Sequence, residues 1–185
     1  RMGRRTFPFR AAPDGRGRAK TGDSNMLRKF TLSAAASALA IFAMAGAAEA
    51  QDWRLNPSYG SVSLVSGFSP DPYLISLQSG GSINASQSIG GSCRGYVANA
   101  PDFRLQYSAG NVLPLIISVS SNADTTLVIN GPVARWYCDD DGGQGLNPSL
   151  RWNSPPSGQY DIYVGTYGNA SYQNATLSIS ELRSY

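Results

Sequence analysis

Gln159-Tyr160-Asp161-Ile162-Tyr163-Val164 changes character at every step. Successive side chains of an extended chain point to opposite faces, so Tyr160, Ile162 and Val164 fall on one face and Gln159, Asp161 and Tyr163 on the other. The first set is the predicted core face of a half-buried strand. Residues 175–180 repeat the pattern, with Leu177 and Ile179 inward and Thr176, Ser178 and Ser180 outward. Residues 73–78 do the same with Tyr73, Ile75 and Leu77 inward. Leu115-Ile116-Ile117 and Leu127-Val128-Ile129 are apolar on both faces, which predicts central strands or strands covered by loops.

Shorter runs of β character lie at 62–65, 103–107, 135–138 and 150–152, and helical periodicity is hard to find after residue 50. Clusters of Gly, Pro, Asn, Asp and Ser separate the runs at short intervals. That rhythm predicts an all-β chain, an antiparallel sandwich or barrel and not a parallel α/β fold. Residues 79–101 break the rhythm. Rich in Gly, Ser, Asn and Ala, they predict a long connection with a short strand, pinned by Cys93. One domain over residues 51–185 is the expected count.

Charge divides the chain at the same place. Residues 1–50 carry nine Lys or Arg against three acids, 9 − 3 = +6, and residues 51–185 carry six Arg against nine acids, 6 − 9 = −3. Within the first part, Arg28 and Lys29 precede an apolar run over 34–48, and Ala48-Glu49-Ala50 supplies the small residues of a cleavage site. This predicts a helical secretory signal peptide over 26–50, cleaved after Ala50. Its apolar run is short of the roughly 20 residues that span a bilayer, so no membrane span is expected after cleavage. Met26 is the expected start. Residues 1–25, rich in Arg, Gly and Pro, are expected to be a disordered, non-native upstream extension.

These features exclude several chemistries. The chain has no His. Ser-His-Asp and Cys-His catalysis and His-ligated zinc are therefore out of reach. A net negative part after residue 50 repels phosphate backbones, so nucleic acid is not an expected partner. Cys93 and Cys138 are the two cysteines of the chain. In an exported protein they predict one disulfide, which would stabilise the fold by up to ~4 kcal/mol on the loop-entropy estimate.

The densest chemistry is Cys138-Asp139-Asp140-Asp141-Gly142-Gly143. Three adjacent carboxylates repel one another unless a cation compensates. Calcium is the natural counterion for an oxygen-only site outside the cytoplasm. Asp139, Asp140 and Asp141 are the candidate ligands, with Asp124 and Asn147 completing the shell. Leu150 stands where the twelfth-position acid of an EF-hand loop would be. The competing reading is a plain Asp-Gly turn whose acids provide solubility.

From Asn122 to Ser180 the order of motifs is Asp124-Thr125-Thr126-Leu127-Val128-Ile129, the acidic turn, Asn147-Pro148-Ser149-Leu150, Ser157-Gly158-Gln159-Tyr160-Asp161-Ile162-Tyr163-Val164 and Ala175-Thr176-Leu177-Ser178-Ile179. This order resembles the bacterial pre-peptidase C-terminal domain, over roughly 60 of the 135 residues after Ala50. The resemblance implies a jelly-roll-like β-sandwich and an accessory module, with Asp124 and Asp139 to Asp141 as ligand residues. No peptidase domain is expected within residues 1–185.

The expected function is therefore that of an exported, non-catalytic accessory or binding module, calcium-stabilised in the metal reading. It would work in the periplasm or outside the cell, on an extracytoplasmic protein or polysaccharide. Trp53, Trp136, Trp152, Tyr163, Tyr167 and Tyr172 are candidates for stacking on sugars, against their commoner role in core and rim. The alternatives are a secreted hydrolase using carboxylates alone and a structural subunit of an envelope assembly.

Overall fold

A computed structural model of the protein describes residues 51–185. The upstream extension expected over 1–25 and the signal peptide expected over 26–50 lie outside the described residues. Eleven strands and one helical turn follow in order: β1 (Ser61–Val65), β2 (Tyr73–Ser79), β3 (Ile83–Asn84), α1 (Ala85–Ser88), β4 (Tyr96–Val97), β5 (Phe103–Ser108), β6 (Leu115–Ser121), β7 (Thr125–Asn130), β8 (Trp136–Asp139), β9 (Ser149–Trp152), β10 (Gly158–Thr166) and β11 (Gln173–Ser180).

They form two sheets. The smaller runs β2-β11-β6-β9. In the larger, β10 is central: β5 pairs with its first half and β7 with its second, while β1 flanks β5 and β8 flanks β7. Beyond the start of β5, β4 takes over at Thr166, and β3 pairs with β4. The pairs β7–β8, β6–β9, β5–β10 and β2–β11 are nested one inside the next and alternate between sheets. Nested pairing across two sheets is the jelly-roll topology. One pair departs from the antiparallel expectation: β1 runs parallel to β5, with Ser61 opposite Arg104 and Val65 opposite Ser108. Local alternation does not encode the direction of a partner far along the chain.

Side-chain alternation places the core as read. Tyr160, Ile162 and Val164 of β10 and Leu177 and Ile179 of β11 meet between the sheets, all at 0% exposure. Ile75 and Leu77 join them, with Tyr73 packed at the rim. The doubly apolar strands are covered on both faces. Leu127 and Ile129 face the main core, while Val128 belongs to a second cluster with Tyr163, Val97, Ala85 and Cys93. That cluster lies under the 79–101 segment, which is not a bare connection with one strand. It holds β3, α1 and β4: the two strands extend the larger sheet, and α1 and Cys93 pack against that sheet's outer face. Gly95, at φ +82°, allows the close approach: a Cβ there would stand 2.6 Å from Thr126 Oγ1 and 2.7 Å from Thr166 O.

On the smaller sheet, Ser178 and Ser180 point away from the core yet are fully buried. The C-terminal tail covers them: the Leu182 and Arg183 amides donate to Ser180 Oγ, and the Tyr185 amide donates to Ser118 Oγ. Among the described residues, Ser76, Ser120 and Asn174 of this outer face remain exposed.

Candidate functional site

The acidic turn connects β8 in the larger sheet to β9 in the smaller one. Its residues fasten that crossing. Asp139 Oδ2 accepts from the Gly142 amide and the Ser149 amide, both at 2.8 Å, and so joins the end of β8 to the start of β9. Gly142 is needed at this distance, because a Cβ would fall 2.5 Å from Asp139 Oδ2. Asn147, buried, makes the second fastening. Its Oδ1 accepts from Thr125 Oγ1 at 2.6 Å, and its Nδ2 donates to Ser121 O and Gln144 O. It thereby ties the end of β6 to the start of β7. The disulfide Cys93–Cys138, with Cα atoms 4.9 Å apart, joins β8 to the folded cover of the larger sheet.

Of the five residues read as calcium ligands, Asp139 and Asn147 are thus committed to the protein's own donors. Asp124, Asp140 and Asp141 lie near one another at the corner. Burial, and then the charges of Asp141 and Asp140, hold the Asp124 carboxyl above its ordinary range. Asp124 Oδ1 is shielded from water and has no hydrogen-bond partner among the described residues. Among the described residues, no three of His, Cys, Asp and Glu converge as a metal-holding group.

The more deeply placed acids are acceptors in the scaffold. Asp161 Oδ1 meets Arg104 Nε at 2.5 Å, and its Oδ2 accepts from Gln159 Nε2. Arg104 also donates to Trp53 O and Leu55 O, which pins residues 53–55 to β5. Glu181 accepts from Tyr107 Oη and from the Gly67 amide, and burial together with that carboxylate pushes the Tyr107 phenol up to about 12. Asp71 accepts from Ser180 Oγ and the Glu181 amide. Asp102, 3% exposed, accepts from the Val164 amide at 2.7 Å, in the gap along β10 between the end of β4 and the start of β5. An interior amide left unpaired there would be costly, and burial pushes the Asp102 carboxyl up to about 7 against the pull of that amide.

Open cavities line the surface of the sandwich among the described residues. One of about 380 Å³ runs from Ser120, Ser121 and Asn122 past Asp124 to Asn147 and Tyr185. A second, of about 330 Å³, shares Ser120, Ser121 and Asn122 and continues over Asn174, Thr176 and Ser76. Together they form one groove across the outer face of the smaller sheet, ending at the acidic corner. The third, of about 290 Å³, lies between Trp53, Pro132 and Gln159.

Sequence reading singled out the corner but missed the groove. The signal was present: the outward positions Ser76, Gln78, Ser120, Asn174 and Thr176 carry hydroxyls and amides where solvent-facing strands ordinarily carry Lys or Glu. Of the candidate stacking aromatics, Trp136, Trp152 and Tyr163 pack within the fold. Trp136 lies 5.8 Å from Tyr163 and Trp152 lies 5.5 Å from Tyr160 between ring centroids. Trp53, Tyr167 and Tyr172 remain exposed. No helix among the described residues is long and apolar enough to cross a membrane.

No family model matches the chain, and no curated protein matches it either. Among solved structures it is similar to the pre-peptidase C-terminal domain of a collagenase from Bacillus anthracis, at 15% identity over 68% of this chain and 99% of that one, with a TM-score of 0.40. That is the type of domain that the motifs between Asn122 and Ser180 resemble. It is also similar to a periplasmic inhibitor of g-type lysozyme from Aeromonas hydrophila, at 11% identity over 65% of this chain and 96% of that one, with a TM-score of 0.36.

Proposed function

We propose that the chain is a non-catalytic binding module working outside the cytoplasm, which holds a macromolecule in the groove over its smaller sheet. One contrast carries this reading. The buried acids Asp102, Asp161 and Glu181 are each engaged by donors of the chain itself, while the groove presents uncommitted polar side chains to solvent. A hydrolase needs a pair of carboxylates facing a substrate across a cleft. Acids that bond Val164, Arg104 and Tyr107 are holding strands together instead. The disulfide suits an oxidising compartment.

Calcium enters this reading as a loosely held ion near Asp124, whose carboxyl is raised first by burial and then by the charges of Asp141 and Asp140, with no three acids among the described residues converging on one point. It would close the corner end of the groove and leave the fastenings by Asp139 and Asn147 untouched.

The test is a pull-down from an envelope fraction with the immobilised protein, with and without calcium, beside a Ser120→Lys variant whose new charge sits in the groove. Retention by the wild type and loss in the variant is the expected result, with a raised melting temperature in millimolar calcium. Equal retention by both proteins removes the groove from the account, and an unmoved melting temperature removes the ion.

A further inference from the structure

The register of the smaller sheet turns the groove from a list of polar residues into an ordered array. Ser76 on β2 lies opposite Thr176 on β11, and Thr176 lies opposite Ser120 on β6. Directly paired residues share a face, so three hydroxyl-bearing side chains stand in one row across three strands. Two residues along, Gln78 lies opposite Asn174, and Asn122 follows the last paired residue of β6, Ser121. A row of amides therefore runs beside the row of hydroxyls. Neighbours within a row are about 4.8 Å apart and the rows about 7 Å apart, from strand spacing and rise. Ser76, Gln78, Ser120, Asn122 and Asn174 are exposed, and the side chains of both rows make no hydrogen bond to another described residue.

An aromatic ring closes the array. Tyr172 precedes Asn174 by two residues and is 65% exposed. Its backbone is held against the end of β2: a Cβ on Gly80 would lie 2.0 Å from Ser171 O and 3.3 Å from Tyr172 Cα. Tyr172 thus lies next to the Gln78–Asn174 pair, just before β11 begins, with its Cα beside Gly80. At the other end the groove reaches Gln144 and Asp124.

We infer that this groove binds a neutral glycan chain. The inference rests on the binding-module reading and names its ligand class. The composition of the array selects that class. Protein–protein contacts centre on apolar and aromatic side chains with Arg, and are depleted in Ser; this surface is built from Ser, Thr, Asn and Gln. Nucleic acid needs cations along its phosphates, and neither row contains one. A sugar chain offers hydroxyl or acetamido groups that both donate and accept, as do hydroxyl and amide side chains. Its ring faces are apolar enough to lie on Tyr172. The lining is uncharged up to Asp124, which fits an uncharged polymer and repels a polyuronate.

Affinity electrophoresis of the purified protein through gels containing a neutral cellulose derivative, a soluble chitin derivative or alginate tests this. The expected result is retardation by at least one neutral polymer and none by alginate. Tyr172→Ala is expected to weaken the retardation up to about tenfold in apparent affinity, the equivalent of one aromatic stack. Thr176→Lys is expected to abolish it, and Thr176→Ser to preserve it. Circular dichroism and melting of each variant separate lost binding from lost folding, and Tyr172, being exposed, gives one variant that leaves the core intact. Binding to alginate alone, binding to no polymer, or retardation indifferent to folded Thr176→Lys overturns the inference. If no glycan binds while the envelope pull-down still shows retention lost in Ser120→Lys, the glycan is wrong and the binding module stands. If both fail, the module reading falls as well.

Discussion

At the scale of single residues, the carboxylates of this chain show how one functional group takes opposite parts. Asp139 is partly exposed and accepts two backbone amides, so its acceptor oxygen serves the turn. Asp102 is buried and accepts one, and the desolvation outweighs the bond. Its carboxyl titrates at 3.8 when unfolded and at about 7 when folded, so folding favours the protonated form. The stability this contributes is complete below pH 3.8 and is lost as pH rises through 7, by roughly 4 kcal/mol at most. Asn at this position keeps an acceptor for the Val164 amide without the charge. Asp102→Asn should therefore match the wild type in melting temperature near pH 4 and exceed it at pH 8. Parallel curves across that window would show that Asp102 is not the titrating group. For Asp139, replacement by Ala should cost about 1–2 kcal/mol in denaturant unfolding, and replacement by Asn much less. An equal cost for both would mean that the charge matters and not the acceptor.

At the scale of elements, strands with one apolar face were legible and attachments were not. β10 and β11 declare their core faces through strict alternation, and β7 declares a covered outer face through Val128. β3 and β4 are two residues each, in a stretch of Gly and Ser with no period to read. What makes them strands is the sheet they dock on and the disulfide at Cys93. The acidic corner was found in the sequence by its charge, but its main use, fastening β8 to β9, depends on which amides come within reach of Asp139. The groove was hidden for a related reason. Serines and amides at alternate positions look like an ordinary wet face until register aligns Ser76, Thr176 and Ser120. Because the disulfide ties the cover to the edge strand β8, Cys93→Ser with Cys138→Ser should lower stability by about 2–4 kcal/mol. The loss should be local first. Amide exchange should quicken over residues 85–97 while Leu177 and Ile179 remain slow. A uniform rise across both sheets would contradict the view of the cover as a separable layer.

At the scale of the molecule, nested pairing buries one core between two sheets and assigns different coverings to their outer faces. The larger sheet receives α1, the turn at Cys93 and the residues around Trp53; the smaller receives residues 181–185, which reach Ser118, and among the described residues the hydroxyl and amide rows beside them are uncovered. Polarity and fastening thus separate in space: acids stabilise the joints, and uncharged donors and acceptors face outward. The central claim is that the molecule holds its ligand and does not cut it. The most direct measurement follows a polymer retained by the purified protein, recording bound protein and newly formed chain ends together over many hours. The account predicts saturable, reversible retention with no increase in reducing ends or amino termini. New ends accumulating in molar excess over the protein would contradict it.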